Sequence, residues 1–188
     1  MAGAGNPNET QEAGFTLVEI LTTLLIMTVV TAIAATVMTS VIPTVHADSS
    51  LELVEAELRQ AREAAMDQRR TFVVTFNGTN EITVQRIELT GSLTFIADYF
   101  LGEGVTYTLI PTAPDTPDSF GNSMAVNFSG TNSFEFLGDG TAVNASGQLV
   151  NGTVFMAISA NPITARAVTV MGATGRIKGY TYNGTEWN

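Results

Sequence analysis

Few residues in this 188-residue sequence could make or break bonds. Cysteine is absent, which removes disulfides, thiolate nucleophiles and zinc–thiolate sites. The single histidine, His46, lies just beyond a long apolar run and Pro43, far in sequence from any Ser–Asp pair. It reads as a linker residue and not as a general base. Asp139, within Gly138-Asp139-Gly140, could offer oxygen to Ca²⁺, with Asp115 and Asp118 on another loop. The ligand spacing of an EF-hand is missing, however, and a tight turn is the simpler reading. No catalytic set, metal or cofactor is therefore expected. Two charged features remain: Glu19 inside an apolar block, and the basic pair Arg176 and Lys178 near the C-terminus.

Glu19 is the more telling of the two. From Ile20 to Ile42 there are 23 residues without a charge, 16 of them apolar. As a helix this stretch is roughly 35 Å long, enough to cross a hydrocarbon core of roughly 30 Å. Its Thr and Ser hydroxyls can bond back to helix carbonyls, so lipid tolerates them. A secretory signal peptide would need a basic start and a shorter apolar core, and no Lys or Arg precedes this run. A carboxylate one turn inside a membrane helix costs about 2.5–3.5 kcal/mol on insertion scales, so Glu19 asks for a partner.

Gly14-Phe15-Thr16-Leu17-Val18-Glu19 resembles the processing motif of type IV prepilins: a Gly, then Phe-Thr-Leu-x-Glu, then a long apolar helix. The resemblance implies a prepilin peptidase that cuts between Gly14 and Phe15 and N-methylates Phe15. It also places Glu19 where the family pairs a carboxylate with the N-terminal amine of a neighbouring subunit. Charge pairing of that kind offsets a desolvation that neither group could bear alone. Residues 1–14, small and polar, are then a leader, and 15–42 the transmembrane and assembly helix.

Beyond Pro43 a second, amphipathic helical segment covers 43–70, helical from about Asp48 to Arg70. Leu51, Val54, Leu58, Ala61 and Ala65 recur every three or four residues. Asp48, Ser49 and Ser50 are N-cap candidates, and Arg69-Arg70 suit a helix C-terminus. From residue 71 to 188 the period changes to two. Short runs rich in Val, Ile, Thr and Phe fall at 71–76, 81–88, 104–110, 124–128, 133–136, 152–158 and 165–170. Turn signals such as Asn77-Gly78 and Asn151-Gly152 separate them. They predict antiparallel sheets in a small sandwich. Pro111–Asn122, with three prolines, reads as an exposed loop.

Phe134–Gly140, Gly152–Met156 and Ala165–Val170 through Gly175-Arg176-Ile177-Lys178 follow in the order seen in the GspH/FimT family of minor pilins and pseudopilins, which this region resembles. The implied fold class is α+β: a long N-terminal helix, membrane-spanning in its first half, packed on a C-terminal antiparallel β-sheet head. The implied function is structural and not enzymatic. A minor pseudopilin or pilin would prime or cap a periplasmic filament in type II secretion or a type IV pilus. Its partners would be other pilin or pseudopilin subunits, the prepilin peptidase and the inner-membrane assembly platform. The chain would cross the bacterial inner membrane once, with its head in the periplasm.

The same resemblance carries an alternative. In the FimT branch a Gly-Arg-x-Arg motif is associated with DNA binding during natural transformation, and Arg176 with Lys178 occupy those positions here. Lys keeps the charge and loses the bidentate fork. The head has four basic residues against nine acids, and the whole chain carries −10. Such a field disfavours nucleic acid, so Arg176 and Lys178 are a DNA site only in the rival reading. A major subunit that builds a whole fibre is the third reading.

Overall fold

Helix α1 (Leu17–Gln68) opens the structure, a computed structural model that describes residues 14–159 and 161–188, without the side chains of 35–37 and 40. Of the leader 1–14, only Gly14 falls within that range. The chain divides into two compact units, the first ending at Ser40 and the second running Val41–Asn188. In the first, every described side chain of α1 is exposed, and most are apolar. Leu17–Ala34 has a mean hydropathy of 2.2 and no buried residue in the isolated chain. It is one helix long and apolar enough to cross a membrane. Thr22, Thr23, Thr28 and Thr31 each donate to a carbonyl three or four residues back, at 2.7–3.0 Å. This is how hydroxyls live on an apolar helix.

In the second unit the helix runs on through Pro43 without the interruption expected before Asp48. An interior proline removes one ladder donor, at a cost of about 3 kcal/mol. The burial that follows outweighs it. Val54, Leu58, Ala61 and Ala65 are buried, and each fully buried Val or Leu contributes roughly 1.5–3 kcal/mol. Arg69, at φ +50°, ends the helix, and the Arg70 N–H donates to the Ala65 carbonyl at 3.1 Å.

The remainder is antiparallel β. Strands β1 (Phe72–Asn77), β2 (Glu81–Ile87), β3 (Leu93–Phe100), β6 (Ser133–Phe136) and β7 (Ala142–Val143) form one sheet, in the order β3-β2-β1-β6-β7. In the other, β10 (Arg176–Thr181), β9 (Arg166–Met171), β8 (Gly152–Ile158) and β4 (Val105–Tyr107) lie in that order. There β5 (Val126–Phe128) also pairs with β8. A single apolar core joins the helix stripe to Phe72, Phe134 and Phe136 of the first sheet and to Val154, Met156 and Val168 of the second.

Two expectations are corrected here. Strand β3 occupies a stretch where the alternation predicts no strand. Pro111–Asn122 is irregular but not simply an exposed loop: Thr116 is buried, and the segment straps the outer face of the second sheet. That face carries its own apolar cluster, with Ile110, Phe155, Tyr182 and Trp187, and the Trp187 Nε1–H donates to the Pro114 carbonyl at 2.8 Å. Sheet β8-β9 is thus buried on both sides, as the unbroken burial of both strands requires.

Candidate functional site

Gly14 and Phe15 are exposed and precede the first helical turn. Thr16 is the residue before the helix, and its Oγ1 accepts the Glu19 N–H at 3.2 Å. Thr16 is therefore the N-cap, and Thr16-x-x-Glu19 has the sequence of a capping box, a second signal carried by the same residues as the processing motif. The Glu19 side chain is exposed and enters no salt bridge among the described residues.

In the head, two of the segments that suggested a family, those ending at Gly140 and beginning at Gly175, meet at one helical side chain. The Arg62 Nε donates to the Gly140 carbonyl at 3.0 Å and its Nη2 to the Thr174 carbonyl at 2.9 Å. Gly175 sits at φ +61°, where a Cβ would stand 2.0 Å from the Gly140 oxygen and 2.4 Å from the Arg62 Nε. Only glycine fits there. The turn after β6 and the turn before β10 are therefore clamped together on α1.

A second tie is buried at its strand end only. The Arg166 side chain is 1% exposed, and its Nε donates to Asp48 Oδ1 at 2.7 Å while its Nη1 donates to the Ile163 and Ala165 carbonyls. Asp48 therefore does not cap a helix; it holds a strand cation against α1. Ser50 also departs from the capping role: its Oγ donates to the His46 carbonyl at 2.8 Å and accepts the Gly102 N–H at 2.9 Å. His46 Nδ1 lies 3.1 Å from the Glu103 carbonyl, which can only accept, so that nitrogen carries the proton.

Arg176 and Lys178 share one face of β10, two residues apart. They are not a free cationic pair. Arg176 is bonded to Asp118 on the strap, and the Lys178 Nζ stands 4.4 Å from the Tyr180 ring centre. Burial alone would push the Asp118 carboxyl up. Hydrogen bonds from Thr169, at 2.6 Å, and from Arg176 outweigh this and hold it below the usual carboxylate range. Asp115 accepts the Thr116 and Gly121 N–H groups, and Asp139 accepts both the N–H and the hydroxyl of Thr141. These are turn contacts, and among the described residues no three His, Asp or Glu side chains gather to hold a metal ion.

Residues 10–35 match the prokaryotic N-terminal methylation motif. Among solved structures, the minor pseudopilin EpsH of the type 2 secretion system of Vibrio cholerae aligns over 72% of this chain and 97% of its own, at 13% identity and a TM-score of 0.50. The type IV minor pilin FimU of Pseudomonas aeruginosa aligns over 70% and 85%, at 15% identity and a TM-score of 0.47. No curated protein matches the chain significantly by sequence. At such identities the likeness to EpsH is one of fold, and the motif is what specifies the N-terminus. The chain thus joins a prokaryotic N-terminal methylation motif, set at the start of an apolar helix, to a fold like that of a minor pseudopilin.

Proposed function

We propose that the chain is a minor pseudopilin or minor pilin: a non-enzymatic subunit, cut between Gly14 and Phe15, that primes or caps a periplasmic filament. The observation that carries this reading is the coincidence of the methylation motif, residues 10–35, with the start of an apolar helix long enough to span a membrane. The subunit waits in the inner membrane with its head in the periplasm. It is then drawn into a filament by packing of its 15–42 helix against those of other pilin-like subunits. The assembly platform of the inner membrane performs the extraction. Glu19 supplies the counter-charge for a neighbour's N-terminal amine, which lets both enter an apolar spine. Tying Arg176 to Asp118 leaves little free positive charge for a polyanion, which supports an assembly role over DNA capture.

Intact mass spectrometry of membrane fractions tests the reading. Cells with active prepilin peptidase should yield a chain that begins at N-methyl-Phe15. A chain that keeps residues 1–14 under those conditions overturns it.

A further inference from the structure

Sheet edges present unpaired backbone groups, and soluble heads normally blunt them. Three edges here are blunted: β7 is two residues long and β4 three, and β10 carries Arg176 and Lys178. Strand β3 is different. It is eight residues long, and Leu93, Phe95 and Phe100 are 55%, 58% and 60% exposed. A register shift opposite Val84 and Gln85 makes Ile96 an extra residue, so Phe95 and Ile96 are exposed in succession. Beside Ile96 runs a shallow groove between β3 and α1, floored by Phe72 and Val84 and walled by Glu57 and Gln60. An extended chain laid along β3 could pair with its backbone, cover Phe95 and place a side chain in the groove.

The charges around this edge specify what would lie there. Glu57, Glu81 and Asp98 flank it, and none enters a salt bridge among the described residues. Two cations lie near one end of the edge: Arg86 is taken by Glu88 at 2.5 Å, and Arg70 also acts on that carboxylate, so Glu57, Glu81 and Asp98 keep the edge acidic. A second copy of this chain, at −10, would bring its own acids against these, and anionic lipid would be repelled likewise. We propose that β3 is a docking edge for an extended segment of a different subunit, apolar at alternate positions and flanked by basic residues. That the donor is a neighbour in the filament rests on the assembly reading above; the strand-addition chemistry does not.

The test uses the full chain in nanodiscs of neutral lipid. Three fluorescent peptides serve as probes: an alternating Val/Thr strand with Lys at both ends, the same strand with Glu at both ends, and the chain's own Leu93–Phe100. The Lys-flanked peptide should bind roughly tenfold more tightly than the Glu-flanked one, and should slow amide exchange along β3. Phe95→Gln, whose site is exposed, should weaken it by a similar factor with no change in the circular-dichroism melt. Leu93→Gln provides the same reading at a second exposed site. Glu57→Gln with Asp98→Asn should erase the preference between flanks. Absence of binding, equal binding of both flanks, or preference for the chain's own strand overturns the proposal. So does slow β3 exchange in nanodiscs without peptide, which would mean that lipid covers the edge. If Glu19→Ala blocks filament incorporation while no peptide binds, the assembly reading stands and this inference alone falls. If the Gly14–Phe15 bond stays uncut while the Lys-flanked peptide binds tightly, the assembly reading falls and strand addition at β3 stands.

Discussion

At the scale of single residues, Glu19 has two physical roles open to it, and they make different demands. In the capping role that the Thr16-x-x-Glu19 spacing offers, it needs only a side chain that can hydrogen-bond near the helix start, and Gln serves as well as Glu. As a counter-charge for a buried amine it needs the negative charge itself. Glu19→Gln therefore separates them. We expect Glu19→Gln and Glu19→Ala both to insert in the membrane and both to be missing from the filament fraction, by immunoblot of sheared filaments against membranes. Wild-type incorporation of Glu19→Gln would reduce Glu19 to a cap. Glu19 is conspicuous in the sequence because a charge inside an apolar run is locally visible. Arg166 is not conspicuous, since its partner Asp48 lies 118 residues away and Ser49-Ser50 beside it imitate a helix start. Arg176 fits the same pattern: its charge is plain in the sequence, its tie to Asp118 across the strap is not.

Elements declare themselves in the sequence where one side is buried and the other wet. The Leu51–Ala65 stripe and the strands at 72–77, 81–87, 133–136 and 152–158 stand within a residue or two of where their periods put them. Strand β3 escapes because its apolar residues face outward and its extra residue breaks the alternation. The strap escapes because Pro and Asp describe its local turns, while the surface it covers is built by strands β8, β9 and β10, far later in the chain. Helix α1 crosses Pro43 because burial beyond it outweighs a lost donor, a tertiary gain that no local rule registers. The Arg62 clamp gives a quantitative test at this scale. Gly175→Ala must both leave a favoured backbone region and push aside the Gly140 carbonyl, so it should cost about 2–4 kcal/mol. Gly78→Ala, at φ +55° with nothing within 4 Å, meets only the backbone penalty and should cost about 1 kcal/mol. Urea unfolding of the two variants compares them directly. Equal losses would mean that the two turns are not held together through α1.

For the molecule as a whole, two carboxyls make the stability of the head depend on pH, Asp118 on the strap and Glu135 on β6, and they pull in opposite directions. Asp118 is held below its ordinary value of 3.8, because its hydrogen bonds from Thr169 and Arg176 outweigh burial. The unfolded chain thus protonates it first, and the stability it gives, present above about 3.9, is lost as pH falls through the folded value. Glu135 on β6 is pushed above its ordinary 4.5 by burial. The folded chain protonates it first, so its effect is to raise stability as pH falls through that raised value. Trp187 is the only tryptophan, and it packs against Tyr182 and the strap's Pro114, so its fluorescence reports on this layer. In urea titrations between neutral pH and pH 3, Asp118→Asn should be less stable than the wild type at neutral pH by about 1 kcal/mol. The two curves should then converge in acid, where the wild type has lost the same contribution. Glu135→Gln should do the reverse, gaining at neutral pH and losing its advantage below the raised value. A constant offset between wild type and Asp118→Asn across the whole range would show that the Asp118 carboxylate does not hold the strap to β10.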